Sequence, residues 1–153
     1  MLIISFVGPS GVGKTKVVEE VVARLHELGV SAAVIKHSSR SMTLPEGKDT
    51  SRFWRAGAKS VVFLGPGETS IMFRNYEEET DLQSILKRVG SGVDVVLTEG
   101  FKGGTGKKIE ILREGCSERV TSPGDRIAEF VGSDPAAAEK AVEIILQLLH
   151  KKN

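Results

Sequence analysis

Apolar and polar positions repeat along this chain with two different periods, and the switches between them lay out its elements. Leu2-Ile3-Ile4-Ser5-Phe6-Val7 is a short, nearly unbroken apolar run, the pattern of a strand buried on both faces. Val17, Val18, Val21, Val22, Leu25 and Leu28 then recur at helical spacing, with Lys16, Glu19, Glu20 and Arg24 mostly outside the stripe and Gly29 as the stop. Residues 31–36 predict a second short buried strand, and residues 37–48 a polar loop holding Pro45 and Gly47. Residues 49–56 predict a short helix with Phe53 and Trp54 available for packing. Residues 60–64 and 69–73, either side of Gly65-Pro66-Gly67, predict an antiparallel hairpin. A helix follows over 81–89, with Leu82, Ile85, Leu86 and Val89 on one face, and then a buried strand over 93–98 that ends at Glu99-Gly100. Residues 108–113 and 126–131 complete the strands, and residues 115–125 between them read as the most mobile segment. Asp134 as N-cap and Pro135 in first position open a last helix whose stripe is Ala138, Ala141, Val142, Ile145, Leu148 and Leu149.

Strand and helix alternate, with no repeat and no low-complexity linker, so the expectation is one α/β domain over 1–153 with a mostly parallel sheet flanked by helices. One of its strand-to-helix switches carries chemistry. Gly8-Pro9-Ser10-Gly11-Val12-Gly13-Lys14-Thr15 has the G-x-x-x-x-G-K-[ST] spacing of a phosphate-binding P-loop, between a predicted strand and a predicted helix. The glycines let backbone N–H groups approach an anion, and the new helix adds unpaired N–H groups and the positive end of its dipole. Gly8, Ser10, Gly11, Val12 and Gly13 are therefore assigned to the phosphate cradle, Lys14 to the β- and γ-phosphates, and the Thr15 hydroxyl to Mg²⁺. The fold expected is P-loop NTPase-like, with the hairpin as an extension.

Such a site also needs an acid at the carboxyl end of a neighbouring strand. Glu99 stands at such an end and is the candidate metal and catalytic acid, whereas Asp94 lies at the opposite end of the same strand. The loop after the second strand adds Lys36 and His37; His37 reads equally as a substrate contact and as a loop-ordering side chain. Lys48 and Asp49 open the next helix, where Asp49 reads as a metal or water ligand or as a cap. Lys102, Lys107 and Lys108 follow Glu99, and Lys36, Arg40, Lys48 and Lys102 form a candidate basic docking rim.

Composition narrows the classes. At 153 residues, 40% hydrophobic and 27% charged, the chain suits a globular domain with a real core. A net charge of +1 argues against a nucleic-acid partner. The single cysteine, Cys116, forms no internal disulfide and fits a reducing compartment. The first residues lack a basic leader, and no stretch is apolar over a membrane's thickness, so the expected location is cytoplasmic, with no membrane partner.

Taken together, Gly8 to Thr15, Val34-Ile35-Lys36-His37, Gly47-Lys48-Asp49-Thr50, Arg55-Ala56-Gly57-Ala58, Glu99-Gly100-Phe101-Lys102 and Lys108-Ile109-Glu110 resemble the molybdopterin-guanine dinucleotide biosynthesis protein B (MobB) family, in order, over residues 1–114. The resemblance implies a GTP-binding adaptor in molybdenum cofactor biosynthesis. Such a protein assists a guanylyltransferase that joins a guanine nucleotide to molybdopterin, forms a homodimer and is at most a slow GTPase. It implies phosphate and Mg²⁺ binding at Gly11, Gly13, Lys14 and Thr15, Glu99 in place of the usual Walker B aspartate, and Lys36, His37, Lys48, Asp49 and Lys102 on the same face. The family's further His and Asp residues are missing from residues 38–46. The Asn-Lys-x-Asp guanine signature is missing too, which leaves Gly132, Ser133 and Asp134 as candidates for reading the base. Two other classes fit the loop: a small nucleotide or metabolite kinase, for which Arg52 and Arg55 are the only lid candidates, and a nucleotide-switched assembly ATPase.

Overall fold

In chain order the elements are β1 (Leu2–Val7), α1 (Lys14–Glu27), β2 (Ala32–Lys36), α2 (Asp49–Arg55), β3 (Ser60–Gly65), β4 (Glu68–Phe73), α3 (Leu82–Val89), β5 (Val95–Glu99), β6 (Lys107–Leu112), β7 (Arg126–Val131) and α4 (Ala137–His150). They are seen in a computed structural model that describes residues 1–38, 42–44, 46–74, 82–101, 106–116 and 118–151. The chain folds as two units, one of Met1–Ser38 with Leu82–Asn153 and one of Ser39–Asp81.

The first unit is built on a five-stranded sheet in the order β2-β5-β1-β6-β7, with every pair parallel. The unbroken apolar run at the N-terminus becomes its middle strand. Residues alternate between the two faces of a strand. On β1 and β5, Ile4, Phe6, Val95 and Leu97 join one core with Val17, Val21 and Leu25 of α1 and Ala138, Ala141 and Ile145 of α4. Val96 and Ile35 face the other side and pack with Leu86 of α3. Helices thus cover both faces, as a parallel sheet requires. Each fully buried Leu or Ile here contributes about 1.5–3 kcal/mol through the apolar area it removes from water.

Several expectations shift by a turn or an edge. The second strand was expected to be buried, but β2 lies at the sheet's edge and Val34 is 47% exposed. Leu28 leaves the α1 stripe because the helix ends in a Schellman turn: Gly29 adopts φ +72°, its N–H bonds to the His26 carbonyl, and the Val30 N–H bonds to the Leu25 carbonyl. Leu28 is then 58% exposed. Val89 likewise turns to solvent at the end of α3. Asp134 does not cap α4 directly. Its carboxylate accepts the Ala136 N–H at 2.9 Å in a preceding turn, and the helix starts at Ala137. That N–H, with Lys140 beside it, holds the Asp134 carboxyl below its ordinary range.

The second unit is a short helix on a two-stranded antiparallel sheet, β3 with β4, as the hairpin pattern predicts. Arg74 ties its end to α2: the guanidinium lies 4.1 Å from the centre of the Trp54 ring and donates to the Ala58 and Trp54 carbonyls. Val61 is buried on one face. The opposite face carries Val62, Leu64, Ile71 and Phe73, all of them exposed. A groove of about 1010 Å³ in this unit is lined by Met42, Leu44, Phe53, Leu64 and Met72 among others.

The segment before β7 is held by one buried acid. Glu110 on β6 is fully buried and accepts hydrogen bonds from the Val120 N–H at 2.6 Å, the Thr121 hydroxyl, and Arg126 at 2.8 Å. Burial pushes its carboxyl up, but the Thr121 hydroxyl, the Val120 amide and Arg126 together outweigh burial and hold it below the ordinary range. Such a carboxylate stabilises the fold above its unfolded pKa of about 4.3, and that contribution disappears as pH falls through the lower folded value. Glu110→Gln is therefore expected to lose about 1.5–3 kcal/mol at neutral pH. It should also show a flatter loss of stability between about pH 5 and pH 3 than the parent chain. Urea unfolding across that range measures both, and equal acid sensitivity in the two proteins would refute the assignment.

Candidate functional site

β1 runs straight into the glycine loop, and the loop's path is set by how closely it approaches its neighbours. A Cβ on Gly8 would stand 2.0 Å from the Ile111 carbonyl oxygen, and one on Gly132, just after β7, would stand 1.8 Å from the Val12 carbonyl oxygen. Side chains at either place would push the loop off the sheet. Gly13 is the N-cap of α1 at φ +94°, a conformation natural to glycine, and α1 has no side-chain cap. The first turn of α1 therefore presents backbone N–H groups in the way an anion site requires. Ser10 and Gly11 lie exposed at the crest, while Val12 is buried and anchors the loop in the core. The Lys14 ammonium folds back under the crest and donates to the Gly8 carbonyl at 3.1 Å and to the Pro9 carbonyl.

Beside the loop stands a second cluster. The pairing of β1 with β5 sets Phe6 against Glu99, and that of β2 with β5 sets Lys36 against Glu99. The Thr15 hydroxyl donates to Glu99 Oε1 at 2.9 Å, and the Lys36 ammonium donates to Glu99 Oε2 at 3.0 Å and to Thr15 Oγ1 at 3.3 Å. The Glu99 side chain is only 11% exposed, while that of Lys36 is 55% exposed. The His37 N–H bonds to the Glu99 carbonyl at 2.9 Å, and its ring packs on Phe101 with centroids 4.7 Å apart. Gly100 turns the chain away at φ +92°, where a Cβ would meet the His37 carbonyl oxygen at 2.8 Å.

Thr15 and Glu99 suit a hard cation. Neighbouring ligands of an octahedral Mg²⁺ with bonds of about 2.1 Å lie about 3.0 Å apart, and Thr15 Oγ1 and Glu99 Oε1 are 2.9 Å apart. Two protein oxygens suffice for an ion that keeps several waters and takes phosphate oxygens. No group of three or more His, Cys, Asp and Glu able to hold a metal occurs among the described residues.

The first unit thus brings together residues 8–15, Lys36, His37 and Glu99. Lys48 and Asp49 belong to the second unit, where Lys48 is the N-cap of α2 and Asp49 forms an exposed pair with Arg52 at 3.5 Å. Lys102 and Arg40 lie outside the described residues. Asp94, at the far end of β5, accepts from the Ser31 hydroxyl at 2.6 Å and from the Ser31 N–H at 2.8 Å. These bonds hold its carboxyl below the ordinary range. Sequence reasoning passed over Arg113, whose guanidinium lies 3.9 Å from where a Cβ on Gly11 would stand. The signal was its place at the carboxyl end of the strand next to β1.

Residues 3–132 match the family described as Molybdopterin guanine dinucleotide synthesis protein B (MobB). The chain is 32% identical over 120 residues to the molybdopterin-guanine dinucleotide biosynthesis adapter protein of Escherichia coli K12, covering 76% of this chain and 69% of the relative. It is 32% identical over 115 residues to a probable adapter protein of that pathway from Bacillus subtilis, covering 73% of this chain and 65% of the relative. A crystal structure of molybdopterin-guanine biosynthesis protein B superposes with a TM-score of 0.69 at 29% identity, over 97% of this chain and 99% of that one. Bacillus subtilis MobB, at 21% identity and a TM-score of 0.65 over 94% of this chain and 97% of that one, shares the fold. These relatives give the small-kinase alternative no support. The family match runs from β1 through the end of β7 and takes in the glycine loop, Lys36, Glu99 and Gly132, and on it the chain belongs to the MobB family.

Proposed function

We propose that this protein is a GTP-binding adapter for the formation of molybdopterin guanine dinucleotide. In this reading it presents nucleotide to a guanylyltransferase that handles molybdopterin, and it works in the cytoplasm. The observation that carries the reading is the glycine loop with Lys14, set beside the Thr15–Glu99 pair, in a chain of the MobB family. The relatives are themselves described as adapter proteins of this pathway. Among the described residues no helix is long and apolar enough to cross a membrane.

The parts divide the work. The loop amides and Lys14 bind phosphate oxygens, and Thr15 and Glu99 hold Mg²⁺. When bound, that ion neutralises charge on the β- and γ-phosphates. Rapid hydrolysis would also need a group that orients water. The chain has two glutamines, Gln83 on α3 and Gln147 on α4, and neither lies in the segment directly after Glu99. This supports binding and presentation rather than turnover.

Homodimer formation belongs to the same proposal. A lone two-stranded sheet is marginal in water, and β3–β4 leaves Val62, Leu64, Ile71 and Phe73 exposed on one face. An apolar patch of this kind marks a contact surface, and a second copy of the chain is the occupant this reading assigns to it.

Three outcomes follow. Lys14→Ala should lose about 1.5–3 kcal/mol of binding, a ten- to hundredfold weakening of Mg²⁺–GTP affinity by calorimetry; unchanged affinity would remove the P-loop assignment. Single-turnover GTP hydrolysis by the isolated protein should run below about 10⁻² s⁻¹, and faster chemistry would argue for an enzyme in its own right. Leu64→Asp with Ile71→Asp should turn a dimer into a monomer by light scattering while GTP binding persists. A monomeric parent protein, or a dimer that survives the double change, would sink the hairpin contact.

A further inference from the structure

The arrangement around Glu99 contains one cation already. The Lys36 ammonium stands 3.0 Å from Glu99 Oε2 and 3.3 Å from Thr15 Oγ1, bonded to the same two residues that suit Mg²⁺. Thr15 and Glu99 are held by α1 and by the buried end of β5, so the oxygen pair stays in place whichever cation attends it. Lys36 is different. It is the last residue of an edge strand, its side chain is half exposed, and its long stem can swing without disturbing the core.

We propose that Lys36 is the resting counter-ion of the Thr15–Glu99 pair and exchanges with the divalent cation. Without nucleotide, its ammonium neutralises Glu99 through Oε2 and bonds Thr15 Oγ1, one of the two oxygens that the metal needs, which keeps metal affinity low. A polyphosphate seated on the glycine loop offers the ammonium new acceptors. Lys36 then leaves Glu99 for the terminal phosphate, and the oxygen pair is released for Mg²⁺. Metal binding is thereby made conditional on a triphosphate. Lys36 acts as a positioning residue, and this role rests on the nucleotide-binding reading above.

A purely structural role for Lys36 predicts that its removal weakens binding of every kind. The exchange predicts the opposite sign for metal alone. The test uses the full chain without nucleotide and Mn²⁺ as the probe, with free Mn²⁺ followed by electron paramagnetic resonance at low salt. Lys36→Met should bind Mn²⁺ about ten- to hundredfold more tightly than the parent chain, the size of effect that a neighbouring like charge has on an ionisable site. Lys36→Met with Glu99→Gln should lose that gain. In calorimetry with Mg²⁺ present, Lys36→Met should also lower the preference for GTP over GDP about tenfold. Lys36→Gln serves where the methionine variant fails to fold by circular dichroism. Mn²⁺ binding no tighter in the variant than in the parent would overturn the exchange, and an unchanged GTP/GDP preference would overturn the transfer to phosphate. Either result could occur in a protein that still binds GTP through Lys14, which separates failure of this proposal from failure of the nucleotide reading.

Discussion

β1 pairs in parallel with β5 on one side and β6 on the other, and the working end of the molecule follows from that pairing. Parallel neighbours bring their carboxyl ends to the same edge of the sheet. The register that sets Phe6 against Glu99 puts the acid one strand away from the glycine loop. The register that sets Val7 against Glu110 carries the end of β6 past the start of the loop, where the Ile111 carbonyl leaves no room for a side chain on Gly8. The loop's shape is therefore imposed from outside as much as by its own glycines.

Burial on both faces makes this edge stiff. Apolar residues of α1 and α4 fill one side of β1 and β5, and Leu86 of α3 covers the other beside Val96 and Ile35. Stiffness matters because Thr15 and Glu99 meet at 2.9 Å from different elements, and oxygen ligands serve a small hard cation only when their spacing is held. Lys36, at the end of the edge strand β2, has a half-exposed side chain beside the buried Glu99. The site thus sets a half-exposed ammonium against a buried carboxylate.

Not all buried charge in this fold serves the site. Glu110 is as deeply buried as any residue in the core, yet its partners are Val120, Thr121 and Arg126, which lead into β7. Holding that segment fixes the start of β7, and the end of β7 delivers Gly132 onto the Val12 carbonyl. The acid reaches the loop through the backbone, at the distance of one strand.

Most of the elements could be read from the sequence, because each rests on a local signal. The apolar run before Gly8, the helical stripe from Val17 to Leu25, Gly29 at the turn and the Gly65-Pro66-Gly67 hairpin all have causes within a few residues of themselves. The P-loop pattern was legible for the same reason, and Glu99 was singled out because strand polarity says which end of a parallel strand faces a ligand; the structure places it beside Thr15. What tertiary structure decided was everything that depends on a neighbour distant in the chain. It made β2 an edge strand and so exposed Val34; it brought Lys36 onto Glu99 and Thr15, set Arg113 above Gly11, and required glycine at 132. It also divided the chain into two units, since β3 and β4 form their own short sheet while β5 returns to pair with β1. Strand order and register arise from packing between segments far apart in sequence, and no window of the sequence contains both partners.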